Sequence, residues 1–284
     1  MSATTQFLQF PARIGLGTWK MGASRAERDR EVAAVSHALA TGYRLIDTAE
    51  MYGDGGAERL IGTALQEFGR ARRAELFIVS KVLPGNASRR GTIRACEESI
   101  ARMGCEYLDL YLLHWRGSHP FRETLQAFVE LRERGLIRHF GVSNLDLSDL
   151  KQWMQAEKAL GVTEGLRCNQ LYYCLETRGI EFSLLPWQRA HGIATMAYSP
   201  LGQGSLTSHP LLEQIGRERG LSAAQVALAW SIRDSDVVAI PKSVQPRRID
   251  ENHAAAQVTL SAAELARLDE VFPPPRSKQP LAMA

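Results

Sequence analysis

Short apolar segments rich in β-branched residues alternate along the chain with longer segments in which apolar residues recur every three or four positions. The short segments are typical of buried strands, and the longer ones have the period of amphipathic helices. Eight short segments are each followed by a helical one. They span residues 12–18, 43–48, 75–80, 107–113, 137–142, 165–170, 192–198 and 236–241. This alternation predicts parallel strands covered by helices.

Residues with strong positional preferences mark the ends of several predicted helices. Ser88 and Asp146 stand where a helix N-cap is expected, and Gly135 follows the basic sequence LRER at a predicted helix end. Near the C-terminus, Ser261 is followed three residues later by Glu264, which is the spacing of a capping box. This pair predicts an extra helix after the eighth strand–helix unit.

Two segments lie outside the repeat. Residues 5–10, with the sequence TQFLQF, are predicted to form a strand that caps the floor of the sheet. Residues 273–284 contain too many prolines for a helix and are predicted to form a short tail.

The repeat fits an α/β fold of the (β/α)8 type, the TIM barrel, which typically occupies about 250 residues. A doubly wound sheet is the alternative, but it normally carries G-x-G-x-x-G between a strand and a helix. Here Gly15 and Gly17 form only G-x-G, and Lys20 occupies the position of the last glycine. We therefore predict one domain over residues 1–284, with a core barrel at about residues 12–256.

The composition is that of a globular protein with balanced charge. Hydrophobic residues make up 45% of the chain and charged residues 23%, and 34 basic against 31 acidic residues leave a net charge of +3. These charges are interspersed, which argues against nucleic acid or a membrane surface as a partner. The chain shows neither a secretory signal nor a run of ~20 apolar residues, so we expect a cytoplasmic protein. We also expect a monomer.

The cysteines show no metal-binding pattern. None forms a C-x-x-C pair, and no cysteine–histidine spacing matches a zinc site. We interpret them as reduced thiols and predict no metal. They are Cys96, Cys105, Cys168 and Cys174.

Four ionisable residues stand at the C-terminal ends of predicted strands or just beyond them. They are Asp47, Tyr52, Lys81 and His114. Because these strand ends carry the chemistry of a barrel, we expect the four side chains to converge. A phenol can donate a proton, a neighbouring ammonium makes it more acidic, and a carboxylate can hold that ammonium. With an imidazole to orient a carbonyl, the set predicts carbonyl reduction.

Polar residues also end the other predicted strands, so that one mouth of the barrel collects them. They are Ser143, Asn144, Asn169, Gln170, Tyr198, Lys242 and Ser243. At the same mouth, Trp19, Met51 and Trp115 are predicted to line an apolar cup for the substrate beside Tyr52 and His114. The loop after His114 and the tail are short, so few residues are expected to cover this pocket. An open pocket favours small or varied aldehydes as substrates.

Eight short motifs follow one another along nearly the full length of the chain. They are GLGTW (15–19), LIDTAEMYGDGGAE (45–58), VSK (79–81), YLDLYLLHW (107–115), GVSN (141–144), NQ (169–170), AYSPLGQG (197–204) and IPKS (240–243). In this order they resemble the motifs of the aldo-keto reductases, and more narrowly those of bacterial members that reduce methylglyoxal and similar small aldehydes.

The resemblance implies a barrel that binds NADPH in an extended form and reduces a small carbonyl substrate. It implies that Tyr52 is the general acid, that His114 orients the substrate, and that Lys81 and Asp47 form a supporting ion pair. The implied cofactor contacts are Thr18, Trp19, Asp47, Ser143, Asn144, Gln170, Tyr198, Ser199, Leu201, Gln203, Ser205, Lys242, Ser243, Arg248, Glu251 and Asn252.

Charge supports the choice of NADPH over NADH. Lys242 and Arg248 are six residues apart, just after the eighth strand and at the start of a predicted helix. A phosphate at that position would meet two cations and the free N–H groups of a helix N-terminus. NADH lacks the 2′-phosphate, so we predict a preference for NADPH.

The chain departs from the family after Gln170, where many members carry E-x-H-P and this chain reads LYYCLETRG. The departure leaves the environment of Tyr172 and Tyr173 open. Two alternatives to aldehyde reduction also stay open: a sugar or diketo-acid reductase on the same fold, and a non-catalytic NADPH-sensing subunit.

Overall fold

The computed structural model describes residues 7–283 as an eight-stranded parallel sheet in which each strand pairs with the next along the chain. A parallel bridge between Ile14 and Ala239 joins the two ends of the sheet, so the barrel closes as predicted. The strands are β1 (Leu16–Gly17), β2 (Leu45–Asp47), β3 (Phe77–Val82), β4 (Leu108–Leu113), β5 (Ile137–Ser143), β6 (Cys168–Tyr172), β7 (Ala194–Tyr198) and β8 (Val237–Ala239).

Helices cover the outside of the barrel between the strands. Two of them, α7 and α8, lie between β7 and β8, and α10 is the predicted helix beyond the repeat. The helices are α1 (Arg28–Thr41), α2 (Gly56–Phe68), α3 (Arg89–Met103), α4 (Phe121–Glu133), α5 (Leu147–Leu160), α6 (Leu184–Ala190), α7 (Pro210–Arg219), α8 (Ala223–Ser231), α9 (Pro246–Ala254) and α10 (Ala262–Val271).

The predicted helix ends are confirmed where a side chain forms the cap. Ser88 accepts a hydrogen bond from the backbone of Gly91 at the start of α3, and Asp146 caps α5. Ser261 and Glu264 form the reciprocal capping box of α10. Helix propensity and capping chemistry are local, which is why the sequence locates these boundaries well.

The barrel interior is a layer of strand residues that includes Leu45, Leu110 and Met196, and Leu8 and Phe10 pack into its lower end. The predicted strand at the floor is wrong for residues 7–10, which form no strand, and residues 5–6 lie outside the described part of the chain. A closed barrel offers no free strand edge for pairing, so this segment covers the floor with side chains instead.

Strand register brings the predicted catalytic residues together. Asp47 pairs with Val79, which lies two residues before Lys81, so these three side chains emerge on one side of the sheet. His114 directly follows β4, and its backbone N–H bonds to Val82 at the end of β3. Among residues 7–283, no helix is long and apolar enough to cross a membrane.

Candidate active site

A cleft of about 710 Å³ opens at the C-terminal ends of the strands. This volume lies in the range of small-molecule sites. Most of the residues predicted from the sequence line it: Trp19, Asp47, Met51, Tyr52, His114, Trp115, Ser143, Asn144, Gln170, Tyr198, Ser199, Leu201, Gln203, Lys242, Ser243, Arg248, Glu251 and Asn252.

Lys81 lies beneath the cleft and is completely buried. Its Nζ donates to Asp47 Oδ2 at 2.8 Å, to the Thr48 carbonyl at 2.7 Å and to the Tyr52 hydroxyl at 3.1 Å. These three acceptors match the three hydrogens of an ammonium group. Because the hydroxyl of Tyr52 accepts from Lys81, its own hydrogen remains for another partner.

The loop between β2 and α2 positions Tyr52 through short-range contacts. The Tyr52 N–H bonds to the Ala49 carbonyl at 3.0 Å, and Glu50 Oε1 accepts from the Leu83 N–H on the neighbouring loop at 2.6 Å. The backbone at the start of α2 packs closely against the backbone at Gly22. A Cβ on Gly56 would lie 2.1 Å from the carbonyl oxygen of Gly22. Only glycine fits there, which explains the GDGG sequence just after Tyr52.

Burial raises the pKa of Tyr52 above its ordinary value, and the positive charge of Lys81 opposes that rise without cancelling it. The sequence predicted that Lys81 lowers this pKa, and that effect is present, but burial outweighs it. The reason is that the phenolate would lose its water, while the adjacent Asp47 offsets much of the lysine charge. Tyr52 therefore keeps its proton at neutral pH. If that proton is donated, the Lys81 ammonium can stabilise the phenolate that results.

The supporting pair is ionised by mutual contact. The pKa of Lys81 is raised, because Asp47 and Tyr52 outweigh the effect of burial. Burial raises the pKa of Asp47, and the Lys81 ammonium together with the Gln170 amide opposes this. With hydrogen bonds to both of its oxygens, the Asp47 carboxylate has the partners that a buried charge requires.

His114 is neutral in this site. Burial, followed by repulsion from Lys81, lowers its pKa to about 2. The ring meets Tyr52 edge to face, with centroids 5.8 Å apart, and also contacts Trp115. A neutral imidazole can donate from one nitrogen without adding a charge near the tyrosine.

A hydrogen-bonded wall stands opposite Tyr52. Gln170 Nε2 donates to Asp47 Oδ1 at 2.7 Å, which leaves the amide oxygen of Gln170 as an acceptor. Ser143 Oγ donates to the Gln170 carbonyl at 2.9 Å, and the Tyr198 hydroxyl donates to Asn144 Oδ1 at 2.9 Å. The ends of β5, β6 and β7 thus form one network with the ion pair.

Strained backbone is concentrated along the cleft. Four non-glycine residues that line it adopt positive φ angles. Such conformations cost free energy and are commonly kept at functional sites. They are Lys20 (64°), Asn144 (56°), Ser199 (47°) and Gln203 (55°).

The far end of the cleft is cationic. Lys242 and Arg248 are both exposed and line the cleft at the start of α9. The pKa of Lys242 is lowered, first by partial burial of its side chain; the charge of Glu31 opposes this, and the charges of Arg30 and Lys20 add to it. An anion that reached both Lys242 and Arg248 would be stabilised by two positive charges.

Two predicted cofactor residues do not line the cleft. Thr18 is buried, and its hydroxyl donates to the Asp47 carbonyl at 2.9 Å. The Ser205 hydroxyl turns back to hydrogen-bond Glu176 and the Gly202 carbonyl. Both hydroxyls support the loops that carry the site.

Several lining residues were not foreseen from the sequence. Met283 of the tail reaches the cleft and is 55% exposed, and Lys20 and Thr207 also line it. No signal in the Pro-rich tail indicated its path. Tyr172 and Tyr173, whose setting was open, both lie outside the lining.

The arrangement fits a dinucleotide with an extra phosphate. The cleft connects the Tyr52 wall, where a planar amide could lie against Tyr198, to the cations at α9. A helix N-terminus beside Lys242 and Arg248 suits a phosphate group. Within the described residues, no group of three or more histidine, cysteine or acidic side chains could hold a metal ion.

Comparison with known proteins agrees with this geometry. The sequence profile of the Aldo/keto reductase family matches residues 13–272. The chain belongs to the aldo-keto reductase family.

The chain is 44% identical over 277 residues to methylglyoxal reductase YeaE of Escherichia coli, covering 95% of this chain and 94% of that protein. It is 35% identical to glyoxal reductase of Bacillus subtilis over 257 residues, which are 90% of this chain and 87% of that one. A solved aldo-keto reductase of Klebsiella pneumoniae in complex with NADPH matches with a TM-score of 0.88 and 43% identity, covering 96% and 95% of the two chains.

Proposed function

We propose that this protein reduces small aldehydes, such as methylglyoxal, to alcohols with NADPH. The observation that carries the proposal is the contact of the Tyr52 hydroxyl with the buried Lys81 ammonium, 3.1 Å apart, in a cleft that also ends in two cations. The relatives named methylglyoxal reductase and glyoxal reductase, and the NADPH-bound structure, support it. A sugar or diketo-acid substrate is not favoured by these similarities.

Tyr52 donates its proton to the carbonyl oxygen in the proposed reaction. NADPH, when bound, supplies the hydride from its nicotinamide ring. As negative charge develops on the carbonyl oxygen, the phenol hydrogen moves to it, and the Lys81 ammonium stabilises the resulting phenolate. General acid catalysis of this kind typically contributes about 10²–10⁴-fold in rate.

Asp47 and His114 prepare this proton transfer. Asp47 keeps Lys81 charged and directed at Tyr52 through the 2.8 Å ion pair. His114, being neutral, donates a hydrogen bond that orients the carbonyl oxygen toward the tyrosine. Because Asp47 and Lys81 are buried and already hydrogen-bonded to each other, they need little reorganisation during the reaction.

The wall opposite Tyr52 is proposed to hold the carboxamide of nicotinamide. The amide oxygen of Gln170 is oriented as an acceptor because Asp47 holds its nitrogen. Tyr198 offers its ring as a flat surface for the nicotinamide. Lys242, Ser243 and Arg248 would hold the 2′-phosphate, and Glu251 and Asn252 would lie near the adenine.

The substrate end is proposed to accept small or varied aldehydes. Trp19, Met51 and Trp115 form its apolar border, and Met51 is 39% exposed. An open apolar border gives limited discrimination, since one methylene changes specificity by only about 1–3 kcal/mol. A cytoplasmic location and a monomeric state stay predictions.

The proposal is tested by mixing the purified protein with NADPH and methylglyoxal and following nicotinamide absorbance. We expect oxidation of NADPH that depends on the aldehyde and is slower with NADH at equal concentration. A panel of about twenty carbonyls, including sugars and diketo acids, then ranks the substrates. NADPH binding without oxidation by any carbonyl would instead indicate the sensing role.

A further inference from the structure

Tyr172 ends β6 and Tyr198 ends β7, and the register of these two strands places the tyrosines side by side. Their rings are stacked, with centroids 5.5 Å apart and planes inclined by 20°. Neighbouring positions on adjacent strands let aromatic side chains pack in this way. Tyr172 therefore contacts a residue of the cleft although it does not line the cleft itself.

Tyr172 borders a different cavity. This second cavity, of about 350 Å³, lies between the loop after β6, the start of α5 and the tail, including Leu281. Tyr172 thus lines the second cavity and also stacks on Tyr198. Tyr198 in turn lines the cleft.

Contacts with Asn144 and Tyr172 both limit the orientation of the Tyr198 ring. Its hydroxyl donates to Asn144 Oδ1, which holds the outer edge of the ring. Stacking with Tyr172 restricts the remaining rotation of the ring face. Asn144 itself is held by bonds from its Nδ2 to the His114 carbonyl and to Ser143 Oγ.

We propose that Tyr172 is a positioning residue that fixes the ring of Tyr198 as a flat wall for the nicotinamide. The inference rests on the proposed function, because it requires a nicotinamide cofactor in the cleft. A wall that is already flat and immobile before binding loses less conformational freedom when the ring of the cofactor docks. The side chain of Tyr172 thereby affects the nicotinamide end of the cofactor and not the adenine end.

The experiment compares two ligands on Y172A, Y172F and the unchanged protein. NADPH carries the nicotinamide, whereas adenosine 2′,5′-bisphosphate carries adenosine with its 2′- and 5′-phosphates and no nicotinamide. We expect Y172A to weaken NADPH binding about three- to tenfold, the usual range for loss of an aromatic pair, and to leave the bisphosphate affinity unchanged. Y172F keeps the ring and should bind both ligands as the unchanged protein does.

A kinetic readout accompanies the binding measurements. At saturating NADPH, the single-turnover rate of hydride transfer should also fall in Y172A, because the nicotinamide would be held less uniformly. Y172L, which keeps apolar bulk without an aromatic face, replaces Y172A if the alanine variant does not fold. It should show the same separation between the two ligands.

Y107A is the matched control. Tyr107 is similarly half-buried but precedes β4 at the opposite end of the barrel, where its ring lies against Arg73 and Arg138. It should bind both ligands normally. Equal weakening of both ligands in Y172A, no weakening of either, or a loss in Y172F as large as in Y172A would overturn the inference alone. Failure of the unchanged protein to bind NADPH would overturn the proposed function and the inference together.

Discussion

The two ends of the cleft differ in how their charged side chains are held. At the tyrosine end, the Lys81 and Asp47 side chains are 0% and 2% exposed, and each charge is held by direct hydrogen bonds. At the other end, the proposed phosphate end, Lys242 and Arg248 are exposed, and both cationic and acidic side chains act on Lys242. The tyrosine end therefore holds its charges in direct contacts inside the protein, whereas the proposed phosphate end presents exposed cations that an anion could reach.

This difference indicates which end of the cleft affects the reaction rate and which affects cofactor affinity. Buried, partnered charges interact strongly with a developing charge because little water screens them. Exposed cations are screened by water and salt, so they contribute to affinity and selectivity. Changes at the first end should therefore alter turnover, and changes at the second end should alter cofactor binding.

The largest expected effect is that of Y52F, which removes the proton donor and keeps the ring. We expect turnover to fall by about 10²–10⁴-fold. NADPH affinity should be nearly unchanged, because the hydroxyl contacts Lys81 and not the phosphate end. Steady-state kinetics and a fluorescence titration measure the two quantities.

Y111F is the matched control for that change. The Tyr111 ring is completely buried, and within the described residues its hydroxyl has no hydrogen-bond partner. This variant also loses one phenol hydroxyl, but outside the cleft, and should keep full turnover. Substantial activity in Y52F would show that another group supplies the proton.

An intermediate effect is expected from the double variant K242A/R248A. Charge-assisted hydrogen bonds contribute about 1.5–3 kcal/mol each, so after discounting for solvent exposure we expect roughly 100-fold weaker NADPH binding. NADH binding should change little, since it lacks the 2′-phosphate. The affinity of the unchanged protein for NADPH should also decrease with added salt more steeply than its affinity for NADH.

K151A/K158A removes the same formal charge from exposed positions on α5. It should leave both affinities unchanged, which separates a local site from net charge. An equal loss of NADPH and NADH affinity in K242A/R248A would rule out a 2′-phosphate site there.

The smallest expected effect concerns stability and His114. In the unfolded chain this histidine takes up a proton below about pH 6.5, whereas in the folded protein it stays neutral down to about pH 2. Between those values the unfolded state binds more protons, so this histidine makes stability fall as pH falls.

The variant H114N removes that dependence. Between pH 7 and pH 5, the free energy of unfolding of the unchanged protein should fall by about 2 kcal/mol more than that of H114N. This is the effect expected for one proton that binds only to the unfolded state. Urea denaturation at the two pH values measures this difference. If the two proteins differ in free energy of unfolding by the same amount at both pH values, the imidazole titrates normally in the folded state.

Most residues of the cleft could be predicted from the sequence, because they lie at the ends of strands. Lys81, His114, Gln170 and Tyr198 each close an apolar run, and parallel strands bring such ends together. The helix caps were recovered for a similar reason, since Ser88 needs only neighbouring backbone. These features depend on residue order and local geometry.

Other features needed the folded chain. The direction of the Ser205 hydroxyl depends on Glu176, a residue from a different loop, and the position of Met283 depends on where the tail crosses the barrel mouth. The sequence indicated the effect of Lys81 on the pKa of Tyr52 but not the larger effect of burial, which spacing does not reveal. Residues 7–10 pair with no strand because a closed barrel offers none.

The sequence by itself determined the alternation of strands and helices, and hence the identity of the residues that meet at the barrel mouth. Tertiary structure decided how deeply each is buried, which hydroxyl faces inward, and that Tyr172 backs Tyr198. The physical reason is that periodicity and capping act between neighbours along the chain. Desolvation and side-chain contacts depend on atoms that lie far apart in sequence.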